Sequence, residues 1–447
     1  MVRASVRVSP VVAVLVLILI SSPRAEAQEP FNLAVPVEDA ATLFTNLFGP
    51  KGLVLDSEAT LPGEQSHSAH FNSDFQSNFS QFGTALVSQL VNVPLPSPAS
   101  GFTYQLDPTT GVFQRSTKSF GPILAERADT IGAGHTSVGF AFQRSTFDSI
   151  EDLDLDAVPA VFTHDNAELL GGRQDVVTTV NSINASVSQY TTFLTVGITN
   201  RLDVSVALPI VGTDVSVISD ATIHRLGTTN PLTHFFRMAD GAVGDRRLFT
   251  ARSSTHGIGD LTVRLKNSLR KTGESGLAVG LDVRLPTGDA MALLGTGTTG
   301  LQPFAIWSAT LDRVSPHVNA GYQWNGSSVL AGNPATGVSA DFPDQVTYVA
   351  GADVAVNPRI TFAFDVLGRY VIDAKRLTRE TFYALDGKST FENIAFEDQS
   401  FSELNGAFGL KANLFGRLLL NMNLLFSLDT HGLRDHVTPL IGIDYSF

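Results

Sequence analysis

The sequence has 447 residues, no cysteine, 43% hydrophobic and 16% charged residues, and a formal net charge of −13. This apolar content excludes an intrinsically disordered chain, and the acidic balance excludes a nucleic-acid binder that depends on a basic surface. The absence of cysteine fits an oxidising envelope compartment, where a free thiol would be a liability.

The first 27 residues predict a secretory signal peptide. Arg3 and Arg7 form a basic start, Val11–Ile20 is an apolar core, and Ala25-Glu26-Ala27 is a small-residue cleavage site. The apolar core is too short to cross a bilayer as a helix, and no later segment offers about 18 consecutive apolar residues. We therefore expect export across the inner membrane, removal of residues 1–27, and no transmembrane helix.

Residues 28–134 are predicted to form a separate amino-terminal segment, mixed or helical in structure, that is either periplasmic or a plug. Its predicted elements are a helix at Val37–Phe48, an amphipathic helix with an aromatic stripe from Phe71 to Leu90, and a hairpin with strands Phe102–Leu106 and Val112–Arg115. The aromatic stripe fits ordinary packing against the rest of the chain, and it also fits a plug that enters a barrel lumen.

From His135 onward the apolar pattern has a period of two, as in strands that expose one apolar face. Residues 135–447 predict a transmembrane, antiparallel, up-and-down β-barrel of about 12 strands, with 14 as the alternative, so the fold class is all-β. The predicted strands are Val138–Phe142, Tyr190–Ile198, Leu202–Ile210, Leu261–Leu269, Leu277–Leu285, Leu301–Leu311, Val314–Trp324, Val346–Val356, Ile360–Tyr370, Leu404–Leu414, Leu418–Leu428 and Val437–Phe447. Leu301–Leu311 is apolar on both faces, so its orientation stays open.

Short and long connections alternate between these strands. The tight turns lie near Asn200, Gly273, Asp312, Pro358 and Gly416. The longer connections are 148–183, 211–258, 286–300, 325–345, 372–402 and 429–436. Outer-membrane barrels have short periplasmic turns and longer outer loops, so this alternation predicts such a barrel.

The last strand, Val437–Phe447, carries an apolar face that ends in Tyr445 and Phe447. An open apolar edge would invite aggregation, so we expect this strand to close the barrel by pairing with Val138–Phe142. The predicted partners are outer-membrane lipid on its apolar face, the barrel assembly machinery that acts on this strand, and a small-molecule solute in the lumen. No nucleic-acid partner is expected.

The polar residues between the apolar positions predict a charged barrel interior. In the hairpin around Gly273, a symmetric register places Arg264 opposite Asp282 and Thr262 opposite Arg284. Such rows are either a structural salt-bridge network or a lining that selects solutes. The candidate lumen-lining residues are Arg264, Lys266, Asp282, Arg284, His317, Asn319, Asp353, Asp365, Arg369, Glu403, Lys411, Asn421 and Asn423.

Two motifs are candidates for a chemical site. His135 and Ser137 would share one face of the first strand, as a base beside a hydroxyl, but no third orienting group is marked. The acidic run Glu151–Asp156 offers oxygens that divalent cations prefer, but it lacks the central glycine of a calcium loop. We predict no catalytic residue, no cofactor and no metal site.

Four stretches between residues 257 and 322 resemble a known family. They are GIGDLTVR at 257–264, GLDVRLPTGD at 280–289, LGTGTTG at 294–300 and SPHVNAGY at 315–322. They resemble the outer-membrane barrels grouped as the meta-pathway phenol-degradation family, and the resemblance implies a transporter of the outer membrane. We expect a passive channel for small organic, aromatic or hydrophobic compounds. The alternatives are a non-transporting structural or surface-interaction barrel and an outer-membrane acyl hydrolase.

Overall fold

The computed structural model describes residues 117–164, 174–238, 240–272 and 274–447, with shorter stretches at 35–36, 39–49, 51–61, 65–66, 69–72, 104–106 and 113–115. The predicted signal peptide and most of the predicted aromatic-striped helix lie outside these residues. Within the described stretches, no helix has the length and apolar character needed to cross a membrane.

Twelve antiparallel strands among the described residues form one closed barrel. They are β1 Thr136–Phe147, β2 Val176–Gly197, β3 Leu202–His224, β4 Arg246–Ile258 with Leu261–Thr272, β5 Ser275–Leu285, β6 Gly300–Ala309, β7 Val314–Asn325, β8 Gln345–Asn357, β9 Ile360–Tyr383, β10 Thr390–Phe415, β11 Leu418–Ser427 and β12 Val437–Ser446. Tyr445 of β12 pairs with Val138 of β1, which closes the barrel. The predicted twelve-strand fold and the predicted partner of the last strand are both confirmed.

Alternate side chains along each strand point outward. Over the part of the barrel nearest the short turns, these outward side chains are apolar. On β12, Val437, Pro439, Ile441, Ile443 and Tyr445 are exposed, whereas the residues that alternate with them are buried. On β6, Leu301 and Trp307 are exposed and Ile306 is buried, which settles the orientation of that strand. A continuous exposed apolar face on a closed barrel is the arrangement of a transmembrane β-barrel.

Short connections lie at all five predicted tight turns, between Gly197 and Leu202, Thr272 and Ser275, Ala309 and Val314, Asn357 and Ile360, and Phe415 and Leu418. Three of the predicted long loops are wrong over most of their length, because 148–183, 211–258 and 372–402 contain long strand extensions. Beyond Tyr190 the outward positions of β2 become Ser188, Ser186 and Asn184. The apolar alternation therefore stops there, although the β2–β3 pairing continues to Val176 and His224.

The extensions carry the first part of the chain at the long-loop end of the barrel. Val158–His164 pairs with β2, Ala69–Asn72 pairs with Val158–His164, and Leu53–Leu55 pairs with Ala69–Asn72. A buried apolar core joins these elements to the strand extensions, and its members include Leu43, Leu53, Phe71, Phe162, Leu377 and Ile394.

Two predictions about this part of the chain need correction. Instead of a full helix, Val37–Phe48 contains a short 3-10 helix at Ala40–Thr42 followed by turns. Phe71, the first residue of the predicted aromatic helix, lies in a strand. The predicted hairpin is confirmed, since Tyr104–Leu106 pairs antiparallel with Phe113–Arg115.

Residues 117–131, which we call the lumen segment, lie inside the barrel at the short-turn end. Lys118 forms an ion pair with Asp312 in the β6–β7 turn. Thr130 donates a hydrogen bond to the carbonyl of Asn200 in the β2–β3 turn, at 2.9 Å. The described stretches 53–55 and 69–72 and the lumen segment therefore lie at opposite ends of the barrel.

Candidate functional site: the barrel interior

The thirteen predicted lumen residues all point away from the exposed apolar face. Ten of them are buried, and Arg264, Asn319 and Arg369 are half-buried. The buried ones are Lys266, Asp282, Arg284, His317, Asp353, Asp365, Glu403, Lys411, Asn421 and Asn423. The strand period of two produces this arrangement, because each strand places its polar residues on the face opposite its apolar ones.

The β4–β5 hairpin has the predicted register. Arg264 is paired with Asp282, and Thr262 is paired with Arg284. The Arg264 guanidinium donates two hydrogen bonds to the Asp282 carboxylate, at 2.7 Å and 2.6 Å. Two parallel bonds of this kind fix both side chains in place.

Glu126 ties the lumen segment to β4 and β7. Its carboxylate accepts a hydrogen bond from Arg264 at 2.8 Å and another from Lys266 at 3.0 Å. Its backbone N–H donates to Asn319 Oδ1 at 2.7 Å, and Asn319 Nδ2 donates to the Glu126 carbonyl at 2.9 Å. Glu126 therefore has four hydrogen bonds to the barrel wall, two of them charge-assisted.

A second ionic contact lies deeper in the interior. Arg127 forms a buried ion pair with Asp353 and donates to Thr117 Oγ1 at 2.7 Å. His317 Nε2 lies 2.7 Å from Asp365 Oδ1, and its Nδ1 lies 3.7 Å from Asp353. These groups connect the lumen segment through β8 and β7 to β9.

Apolar contacts hold the middle of the lumen segment. Ile123 and Leu124 pack in a buried cluster with Ala363, Leu367 and Leu425 of the wall. A glycine on β10 makes the close approach possible, since a Cβ at Gly409 would collide with the Ile123 side chain. The lumen segment therefore fills the short-turn end of the barrel with both polar and apolar contacts.

A cavity of about 330 Å³ lies beside the lumen segment within the barrel. Leu124 and Glu126 of the lumen segment form part of its surface, with Leu367 and Leu425 from the wall. Most other lining groups are polar, and they include Gln143, Ser145, Arg264, Asp282, Arg284, Gln302, Gln323, Gln345, Arg369, Glu403, Asn405, Arg434 and Thr438. The cavity therefore offers hydrogen-bonding groups beside apolar side chains.

Several of the polar lining groups bond to one another across strands. Gln345 Nε2 on β8 donates to Gln323 Oε1 on β7 at 3.0 Å. Arg369 binds Glu403 at 2.6 Å. These contacts hold the lining side chains in defined positions, as a binding surface requires.

The candidate catalytic pair of His135 and Ser137 does not form in this structure. His135 Nδ1 lies 3.1 Å from the carbonyl oxygen of Phe447. The Ser137 hydroxyl is buried and has no hydrogen-bond partner among the described residues, so it is not bonded to His135.

The acidic run Glu151–Asp156 is used in local contacts. Glu151 binds Arg376 at 2.7 Å, and Asp154 accepts the backbone N–H of Asp156 at 2.9 Å. Across the described ranges of the chain, no group of three or more His, Cys, Asp or Glu side chains is arranged to hold a metal ion.

Sequence reasoning missed the charged residues of the lumen segment. Glu126, Arg127 and Asp129 follow the mostly apolar stretch that begins at Phe120, and these charges after an apolar stretch could have indicated them. It also missed Asp203, which lies 3.7 Å from Lys266, and Asp260, which lies 3.8 Å from Arg284. Asp260 follows Gly259 outside the predicted strands, where the alternation gives no direction. Asp203 lies between Leu202 and Val204 of a predicted strand, so the alternation was the signal that could have found it.

Comparison with known proteins gives one family. The family model described as "Putative MetA-pathway of phenol degradation" matches residues 166–370. No curated protein matches the chain.

Several solved barrels are similar in structure at low sequence identity. The NanC porin has a TM-score of 0.34 and 8% identity, with 68% of this chain and 98% of that chain covered. The CymD monoaromatic hydrocarbon channel has a TM-score of 0.32 and 10% identity, covering 70% and 88%. A FadL homologue of Pseudomonas aeruginosa has a TM-score of 0.28 and 10% identity, covering 70% and 88%. The matched range of the phenol-degradation family contains residues 257–322, so the resemblance to that family is confirmed for the middle of the chain.

Proposed function

We propose that the chain is an outer-membrane channel through which small organic solutes diffuse, without an energy source and without a covalent step. The observation that carries this proposal is the cavity of about 330 Å³ inside a closed transmembrane barrel. A barrel interior that served only as a core would be filled to the density of a protein interior. A cavity of this size is in the range of small-molecule sites.

The lining supports an organic solute better than an ion alone. Leu124, Leu367 and Leu425 can cover a hydrocarbon group, and the surrounding amides and charged groups can bind polar substituents. The description of the matched family, which refers to phenol degradation, supports the same solute class. Export by residues 1–27 and recognition of Val437–Phe447 by the barrel assembly machinery belong to this proposal.

The lumen segment is the constriction of the proposed channel. It crosses the short-turn end and is held by hydrogen bonds, ion pairs and apolar contacts rather than by strand pairing. Passage of a solute therefore requires the lumen segment to shift, which local opening of a segment outside the strand pairing permits.

Swelling of proteoliposomes in isosmotic solutes of increasing size tests the proposed channel. We expect the wild-type chain to pass small organic solutes, and Thr262→Trp to reduce the rate severalfold because Thr262 lines the cavity. Leu265→Trp is the matched control, since Leu265 lies on the same strand and is exposed on the outer apolar face.

The alternative is a structural barrel that transports nothing. It is favoured by the number of contacts that hold the lumen segment. An absence of swelling with the wild-type chain and with a variant that loosens the lumen segment, such as Glu126→Gln, would establish this alternative.

A further inference from the structure

Four arginines line the cavity. One of them, Arg284, has a more distant carboxylate partner than the other three. Arg264 has Asp282 at 2.6 Å, Arg369 has Glu403 at 2.6 Å, and Arg434 forms an ion pair with Asp429. For Arg284, the one carboxylate within 4.0 Å among the described residues is Asp260, at 3.8 Å.

Asp260 is held toward the loop that follows β5. It accepts the backbone N–H of Gly288 at 3.1 Å, the backbone N–H of Thr296 at 2.8 Å and the Thr296 hydroxyl at 2.6 Å. These three bonds use both carboxylate oxygens. Asp260 therefore compensates the charge of Arg284 only at a distance.

The hydrogen bond that Arg284 makes goes to a neutral group. Its Nη2 donates to Asn325 Oδ1 at 2.6 Å, and its Nε has no hydrogen-bond partner among the described residues. The side chain is nevertheless buried, with 9% of the residue exposed. A buried guanidinium loses hydration, and a close carboxylate is the group that best restores the lost interaction.

The guanidinium lies close against a glycine of the neighbouring strand. A Cβ at Gly300, on the neighbouring strand β6, would lie 3.1 Å from Arg284 Nη2, so a larger residue would crowd the charged group. Arg284 and the apolar residues Leu124, Leu367 and Leu425 line the same cavity. The site thus combines one incompletely paired cation with an apolar area.

We propose that the cavity binds small organic carboxylates, with Arg284 as the residue that binds the carboxylate. The inference rests on the proposed channel function and names the solute class of the same site. Planar two-oxygen anions match the fork of an arginine, so a carboxylate gains more here than a neutral compound of the same shape.

Calorimetric titration of the full-length protein in detergent at pH 7, in a buffer free of carboxylates, tests the inference. Benzoate and benzamide are the probes, because they share a ring and nearly the same shape but differ in charge. We expect benzoate to bind the wild-type chain about tenfold more tightly, and Arg284→Gln to abolish that preference. Arg284→Lys should keep part of it.

Arg379→Gln is the control variant, since Arg379 is an exposed arginine outside the cavity lining. It should leave the preference unchanged. Equal affinities for the two probes in the wild-type chain, or an intact preference in Arg284→Gln, would refute the inference. If Arg284→Gln does not fold, Thr262→Trp replaces it, because Thr262 pairs with Arg284 across the hairpin and a bulky ring there should block benzoate.

The titration and the swelling assay separate the two proposals. Preferential binding of benzoate without any solute flux supports the carboxylate site and refutes the channel. Flux of both probes without a binding preference supports the channel and refutes the carboxylate site.

Discussion

The carboxylate of Glu126 lies 2.8 Å from Nη1 of Arg264, although 138 positions separate the two residues in the chain. Glu126 belongs to the lumen segment and Arg264 to the barrel wall, so this bond joins the lumen segment to the wall. Lys266 binds the same carboxylate at 3.0 Å. The position of the lumen segment in the barrel therefore depends on one acidic side chain more than on any regular backbone pairing.

Replacing Glu126 by glutamine should loosen the lumen segment. The variant keeps the size of the side chain but removes its charge, and charge-assisted bonds contribute about 1.5–3 kcal/mol each. Arg264 keeps Asp282 and Lys266 keeps Asp203, so no cation is left without a partner. We expect about a tenfold rise in the open fraction of single-channel records in planar bilayers.

Asp129→Asn is the control for that measurement. The Asp129–Lys271 pair is partly exposed and lies at the barrel rim, where such pairs contribute about 0–1 kcal/mol. Records of Glu126→Gln that match those of Asp129→Asn would show that Glu126 does not hold the constriction.

A disulfide should lock the lumen segment in place. A Cβ built on Gly276 of β5 would lie 3.0 Å from the Cβ of Ala128, a few tenths of an ångström short of the usual disulfide spacing of about 3.5–4.5 Å. The chain has no cysteine of its own, so Ala128→Cys with Gly276→Cys creates a single possible bridge. Oxidation should suppress solute flux and a reductant should restore it.

Each single-cysteine variant is the control for the lock, and neither should respond to oxidation. Unchanged flux through the cross-linked protein would mean that solutes pass without movement of residue 128.

Changes at the last strand should impair assembly rather than transport. The Phe447 N–H donates to the Thr136 carbonyl at 2.8 Å, and the Tyr445 and Phe447 rings are 4.8 Å apart between centroids. Deleting Phe447, or Tyr445→Arg on the apolar face, should lower the folded fraction, because a charge facing lipid costs up to about 2–4 kcal/mol depending on depth. Heat-dependent migration on gels measures that fraction.

Molecules of these variants that do insert should conduct like the wild-type chain, and Tyr445→Phe should behave like the wild-type chain in both assays. Normal insertion combined with altered conductance would contradict the assigned role of the strand.

The contact between His436 and Asp148 should make the long-loop end of the β1–β12 seam sensitive to pH. A hydrogen bond and the negative charge of Asp148 raise the pKa of His436, and the two groups are 2.6 Å apart. Because the folded pKa is raised, the stabilisation is complete below the ordinary histidine pKa of about 6.5 and is lost as pH rises through the raised value.

His436→Gln should therefore lower the urea midpoint at pH 5.5 and leave it unchanged at pH 8.5. The histidine is largely exposed, so we expect less than about 1 kcal/mol. Asp148→Asn should remove the same pH dependence. A His436→Gln effect of equal size at both pH values would exclude protonation as its cause.

The strands and their order could be predicted because lipid and lumen impose a strict alternation on every spanning strand. The Arg264–Asp282 pair follows from that alternation combined with the short turn near Gly273, and the pairing of β12 with β1 follows from the need to close the open edge. The alternation ends where the membrane ends. Ser188, Ser186 and Asn184 therefore concealed the extension of β2, because these three consecutive outward positions are polar although the hydrogen bonding continues.

The lumen segment could not be placed from its sequence. Its contacts are made by single backbone groups and isolated side chains, such as the Phe120 N–H to Thr361 Oγ1 and the Ala128 N–H to Ser308 Oγ. Such contacts have no period in either partner. The long-range pairing of Glu126 depends on the closed barrel, which brings β4 and β7 around the segment.

The position of the lumen segment in the chain has a consequence for biogenesis. It directly precedes β1, and β1 finds its second neighbour only when β12, the last strand to be synthesised, arrives. Until then the sheet has an open edge beside the lumen segment. The segment can therefore enter the interior from the side, through this open edge, instead of threading through a closed barrel. The lumen segment should thus enter the barrel before the barrel closes. The last hydrogen bonds, between β1 and β12, should then enclose the segment.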